Sequence, residues 1–151
     1  MQRAKTALAL WLASSFAVSL AAADAAAQQA GTVNVVVSGL RNDQGDVRCG
    51  LYNSPASFPK DGKQFMGVAA AIANRQATCV FANVPAGTYA VAVFHAEKGE
   101  TKMRTGFFGQ PEEGYGFSRN ATGTMGPPAF GAAAYNFTGG NVNFPITITY
   151  P

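Results

Sequence analysis

Residues 84–95 read VPAGTYAVAVFH. Pro85 and Gly87 are turn residues, and from Tyr89 onward the chain alternates. Tyr89, Val91, Val93 and His95 fall on one side, and Ala90, Ala92 and Phe94 on the other. A period of two marks a strand with one face buried. The next stretch, TGFFGQPEEGYGFSRNATGTMGPPAF (105–130), is dense in Gly, Pro, Phe and Tyr. It is too long and too aromatic for a simple connector, and loops of that kind carry function or are disordered.

Outward from this strand the same period recurs. Val33, Val35 and Val37 alternate with polar neighbours, and after the turn cluster Arg41 to Gly45 so do Val47, Cys49 and Leu51, which predicts a hairpin. Ser54-Pro55 suits the start of one helical turn through Phe58. Val68 to Ile72 and Ala77 to Asn83 read as a strand pair around Asn74-Arg75. Ala132 to Phe137 and Val142 to Tyr150 read as a last hairpin around Thr138-Gly139-Gly140. Seven short strands without a long helix predict an all-β fold, an antiparallel β-sandwich with one long Gly/aromatic loop.

At the N-terminus, Arg3 and Lys5 precede an apolar run from Ala7 to Leu20, interrupted only by Ser14, Ser15 and Ser19. Ala25 to Ala27 then supply an A-x-A site, so residues 1–27 read as a secretory signal peptide and 28–151 as one domain. A membrane anchor fits less well, because a span needs about 20 predominantly apolar residues and this run decays into Asp24. The expectation is a periplasmic or secreted bacterial protein with no membrane span after processing. Of eleven basic and eight acidic residues, removal of Arg3, Lys5 and Asp24 leaves nine and seven. The cations are scattered singly, unlike the basic faces of nucleic-acid proteins, so no nucleic-acid partner is expected. Cys49 and Cys79, the only cysteines, are expected to form a disulfide in an exported chain. A metal pair would want a C-x-x-C or more than the single histidine present.

The order GLRNDQGDVRCGLYNS, SFPK, VPAGTYAVAVFH, GFFGQPEEGYGFSRNA and GPPAF resembles a bacterial family of small exported proteins, domain of unknown function 2141. The resemblance spans roughly Val33 to Tyr150 and implies an immunoglobulin-like or transthyretin-like β-sandwich with no established activity. The family pattern continues past Phe-His as Asp-x-Asn-x-Asn-Gly-x-x-Asp, which is similar to a calcium loop built from alternating oxygen ligands. Here Ala96 stands for the first Asp, Lys98 and Glu100 for the Asn residues, Thr101 for the Gly and Arg104 for the last acid. The departure implies that any metal site of the family is lost in this chain.

His95 invites a catalytic reading, with Glu97 or Tyr115 as partner, but a strand-end histidine is more often held structurally. No nucleophile elbow, zinc-protease helix or phosphate loop accompanies it. Glu112-Glu113 reads as solvated charge, not as the separated carboxylates of a glycosidase. No enzyme activity and no cofactor are expected. Phe107, Phe108, Tyr115 and Phe117, interleaved with glycines, either fold back to plug the sandwich or form an aromatic platform. With His95 and Arg119 they are the candidate surface for an envelope protein or a small ligand. The resulting reading is a non-enzymatic binding or accessory module of the cell envelope; a purely structural or protein-interaction domain is the alternative.

Overall fold

The computed structural model describes residues 29–151, so the signal segment expected over 1–27 lies outside the described residues. Eight strands are formed among the described residues: β1 (Gly31–Ser38), β2 (Asp46–Tyr52), β3 (Met66–Ala71), β4 (Ala77–Val84), β5 (Gly87–Ala96), β6 (Tyr115–Phe117), β7 (Tyr135–Phe137) and β8 (Asn141–Thr147). One short helix, α1 (Phe130–Ala133), precedes β7. One sheet has the order β4-β1-β8; the other runs β3-β2-β5-β6, with β7 also paired to β5.

The all-β class follows from alternation that buries one face of each long strand. Val33, Val35 and Val37 of β1 lie over Val47, Cys49 and Leu51 of β2 and Val91 and Val93 of β5, and Phe81, Phe144 and Ile146 close the same core. Cys49 and Cys79 are disulfide-bonded with Cα atoms 6.4 Å apart, which ties β2 in one sheet to β4 in the other. In the chain-entropy picture a closed loop of this size contributes roughly 3–4 kcal/mol.

The connectivity differs from the expected chain of hairpins. β1 pairs with β4 and β8, and β2 with β3 and β5, so the turn cluster 41–45 carries the chain between sheets. β3 and β4 likewise part into different sheets, leaving only the isolated bridge Ala73 to Gln76. The last hairpin is absent: β7 pairs with β5, whereas β8 lies parallel to β1 from Thr32–Asn141 to Ser38–Thr147. The reason is common to all three. Flanking strands with apolar residues on the same face are satisfied equally by pairing side by side or by facing one another across a core. The sandwich is therefore antiparallel with one parallel pair.

An eighth strand, β6, arises inside the Gly/aromatic stretch, with Phe94 opposite Tyr115 and Ala92 opposite Phe117. β7 takes the other half of the same β5 edge, from Gly87–Phe137 to Tyr89–Tyr135. At the gap between them the buried Ser118 replaces the missing rungs. Its Oγ accepts from the Val91 N–H (2.8 Å) and donates to the Ala133 carbonyl (2.5 Å). Behind this seam a second apolar cluster of Tyr52, Phe58, Ala90, Phe117 and Ala133 covers one end of the outer face of the five-strand sheet. Phe58 reaches it from a turn closed by its own N–H on the Ser54 carbonyl (3.1 Å).

Candidate functional site

The candidate residues occupy four different places. His95 is fully buried at the end of β5. Its Nε2 lies 2.7 Å from the Gln44 carbonyl, which can only accept, so Nε2 carries the proton. Nδ1, 2.7 Å from the Tyr150 hydroxyl, then accepts from it, and that hydroxyl accepts in turn from the Arg41 N–H at 3.0 Å. Both ring nitrogens are engaged in fixing the 41–45 crossover and the C-terminal strand end against β5. Burial pushes the Tyr150 phenol above its ordinary range. Glu97 approaches Nδ1 at 3.5 Å but is clamped by Arg41, whose hydrogen bonds hold its carboxyl below the usual range.

Phe117 is buried in the second cluster, and Tyr115 is half-buried with its ring edge-on to it at 5.9 Å. Arg119 is exposed but anchored to the Ala134 carbonyl (3.2 Å) and set over the Tyr135 ring. The degenerate loop is held by ion pairs: Glu97 on Arg41, and Glu100 on Arg104 (3.4 Å) and the Lys98 N–H (2.9 Å). Ala96 is buried and Lys98 exposed.

Phe107 and Phe108 behave otherwise. They sit at the tip of a finger, 105–111, with 95% and 88% of their surface open to water. The finger is closed by the Thr105–Pro111 bridge, the Gly106 N–H on the Gln110 carbonyl (2.8 Å) and the Gly109 N–H on the Gly106 carbonyl (2.9 Å). The left-handed φ of 76° at Gly109 completes the reversal. The two rings meet edge-to-face at 5.1 Å.

The finger's root is braced by a carboxylate whose place in the sequence, beside Glu112 in a loop, is that of solvated charge. Glu113 is buried, its Oε1 accepting from Arg104 Nε (2.6 Å) and its Oε2 from the Arg104 N–H (2.7 Å). Glu100 and Glu112 flank the same guanidinium at 3.4 and 3.6 Å. Burying one carboxylate is tolerable here because both its oxygens receive charge-assisted or backbone hydrogen bonds.

Beside this root lies a cleft of about 290 Å³ on the outer face of the five-strand sheet. Its floor is Gly50, Gly67, Ala69 and Ala92, small residues at outward positions of β2, β3 and β5. Tyr52 and Pro59 wall one side, Phe94 and Met103 the other. Burial raises the Tyr52 phenol to about 12, while its hydroxyl donates to the Lys60 carbonyl (3.2 Å). Arg48, itself paired with Asp46 at 2.8 Å, and Gln64 stand at the polar rim. The recurrence of Gly and Ala at outward positions is the signal that could have disclosed this cleft in the sequence. Among the described residues no group of three or more His, Cys, Asp or Glu side chains is gathered as cation ligands.

No curated protein and no solved structure matches the chain. The family described as an uncharacterized protein conserved in bacteria (DUF2141) matches residues 35–145. That match runs from β1 into β8 and takes in both the cleft and the finger; the chain belongs to the bacterial DUF2141 family.

Proposed function

We propose that this protein is an exported, non-enzymatic interaction module of the bacterial cell envelope that docks through the Phe107–Phe108 finger. The observation that carries this reading is the near-complete exposure of two adjacent phenylalanines on a braced tip. Each ring offers roughly 150–250 Å² of apolar area. Such area on a rigid projection gains free energy only when another surface covers it. The buried and doubly hydrogen-bonded His95 supports a binding role over a catalytic one, since a general base must reach a substrate proton. The A-x-A site before Gln28 supports export, with which the inter-sheet disulfide is compatible.

Photo-crosslinking in intact cells tests the docking element. A crosslinker at position 108 is expected to give a discrete protein adduct that one at the exposed Thr124 does not give. Equal background from both positions would overturn the reading. The mass of the mature N-terminus tests export: a chain beginning near Gln28 is expected, and an intact Met1 refutes it.

A further inference from the structure

We infer that the finger's partner is a second copy of this chain, with the Phe107–Phe108 pair of each copy seated in the cleft of the other. The inference rests on reading the finger as a docking element and names its partner. Donor and acceptor are both present on one chain. An apolar cavity of about 150 Å³ takes one benzene ring, so a cleft of about 290 Å³ has room for the pair. Its walls suit aromatic guests: Tyr52 and Phe94 offer ring edges and faces, and the Met103 thioether makes favourable sulfur–aromatic contacts. The floor of Gly50, Gly67, Ala69 and Ala92 leaves the depth that larger side chains would fill.

Position supplies the closure. Thr101 and Met103 line the cleft and immediately precede Arg104 at the finger's root, so donor and acceptor adjoin on the surface. Two copies meeting face to face about a two-fold axis can exchange both fingers in one isologous contact. Four rings supply on the order of 600–1,000 Å², so the surface around each cleft must also meet to complete an interface of the size stable dimers show. The chain's own finger leaves its own cleft open, because the Glu113 brace on Arg104 fixes the root and both rings stand in water.

A lipid surface fits less well. Interfacial insertion gains from a collar of free cations, whereas residues 97–113 carry four carboxylates against three cations. Arg104 is committed to three of those carboxylates and Glu97 to Arg41.

The test is the oligomeric state of the mature chain by sedimentation equilibrium, for wild type, the double variant Phe107→Ala/Phe108→Ala, and Ala69→Arg, which fills the cleft floor at an exposed position. A wild-type dimer is expected, and each variant should associate about tenfold or more weakly, with unchanged thermal unfolding at dilutions where all three proteins are monomeric. Mixing the two variants should restore a heterodimer of intermediate affinity, because one intact finger then meets one intact cleft. A wild type that stays monomeric at its highest soluble concentration overturns the inference. So does a dimer indifferent to both variants, or sedimentation of a monomer with phosphatidylglycerol vesicles that is lost in the double variant. If the wild type is monomeric but position 108 still crosslinks to another protein, the finger reading survives without self-association. If neither is seen, both fail.

Discussion

Two neighbouring segments, Gly106-Phe-Phe-Gly109 and Gly114-Tyr-Gly-Phe117, have nearly the same composition and opposite fates. The second becomes β6, where pairing to Phe94 and Ala92 carries Phe117 into a cluster with Tyr52 and Phe58. The first turns back on itself at Gly109 with no sheet layer beside it, and its rings stay in water. Local composition does not decide whether an aromatic is core or surface; the availability of an unpaired strand edge does. β5 offers one such edge, and β6, Ser118 and β7 use it up. Phe107 and Phe108 are thereby left in water.

The largest expected effect tests that division directly. Phe117→Ala should destabilise the fold by about 3–5 kcal/mol, since it opens a cavity among packed rings. Phe107→Ala, made in the monomeric form, should change stability by less than about 0.5 kcal/mol. Urea unfolding of both variants measures the contrast, and comparable losses would show that the finger is part of the core. Next in size, Ser118→Ala strands the Val91 N–H and the Ala133 carbonyl and should cost about 2–3 kcal/mol. Hydrogen exchange at Val91 should rise with it if the seam between β6 and β7 is what closes the edge.

Arg104→Ala addresses the other segment. It leaves Glu113 buried with one hydrogen bond fewer and should cost about 1–2 kcal/mol. Its sharper readout is local. Chymotrypsin should cut after Phe107 or Phe108 faster in the variant, because the finger loses its brace while β6 keeps its ladder. Cutting at an unchanged rate would mean that the Thr105–Pro111 bridge alone sets the finger's rigidity.

The strands of the core were legible because alternation at Val33–Val37, Val47–Leu51 and Tyr89–His95 reports burial on one face, and the two cysteines could only pair with each other. Their arrangement was not legible. The Arg41–Gly45 turn has the composition of a hairpin but joins strands in different sheets, and the β1–β8 pairing joins residues more than 100 positions apart. The site divided in the same way. The Gly/aromatic density marked the finger, but whether a ring is exposed depends on pairing partners remote in sequence. Ser118 and Glu113 gave no local sign of their roles, since a serine after Phe117 and a glutamate beside Glu112 look like surface residues until β5 and Arg104 are placed against them.

The smallest expected effect compares the two carboxylate clamps, Arg104–Glu113 at the finger and Arg41–Glu97 at the 41–45 crossover. Glu97 has its carboxyl held below the ordinary 4.5, first by the hydrogen bond from Arg41. A folded-state pKa below the unfolded one means stabilisation that is fully present above the unfolded carboxylate range and is lost as pH falls through the folded value. Arg41 is more than half exposed, so the pair is screened by solvent and its contribution is small. Glu97→Gln should therefore lower stability slightly at neutral pH. The gap to wild type should close as the solution is acidified below the carboxylate range, where Glu97 is itself neutral in both states. Taking the difference between the two proteins cancels the other carboxylates, so urea midpoints across the acid limb isolate this pair. A gap that persists in acid would assign the loss in Glu97→Gln to packing at the crossover. The Arg41 clamp would then be a spacer for the His95–Tyr150 contact, and the Arg104 brace would remain the one electrostatic fixture beside the finger.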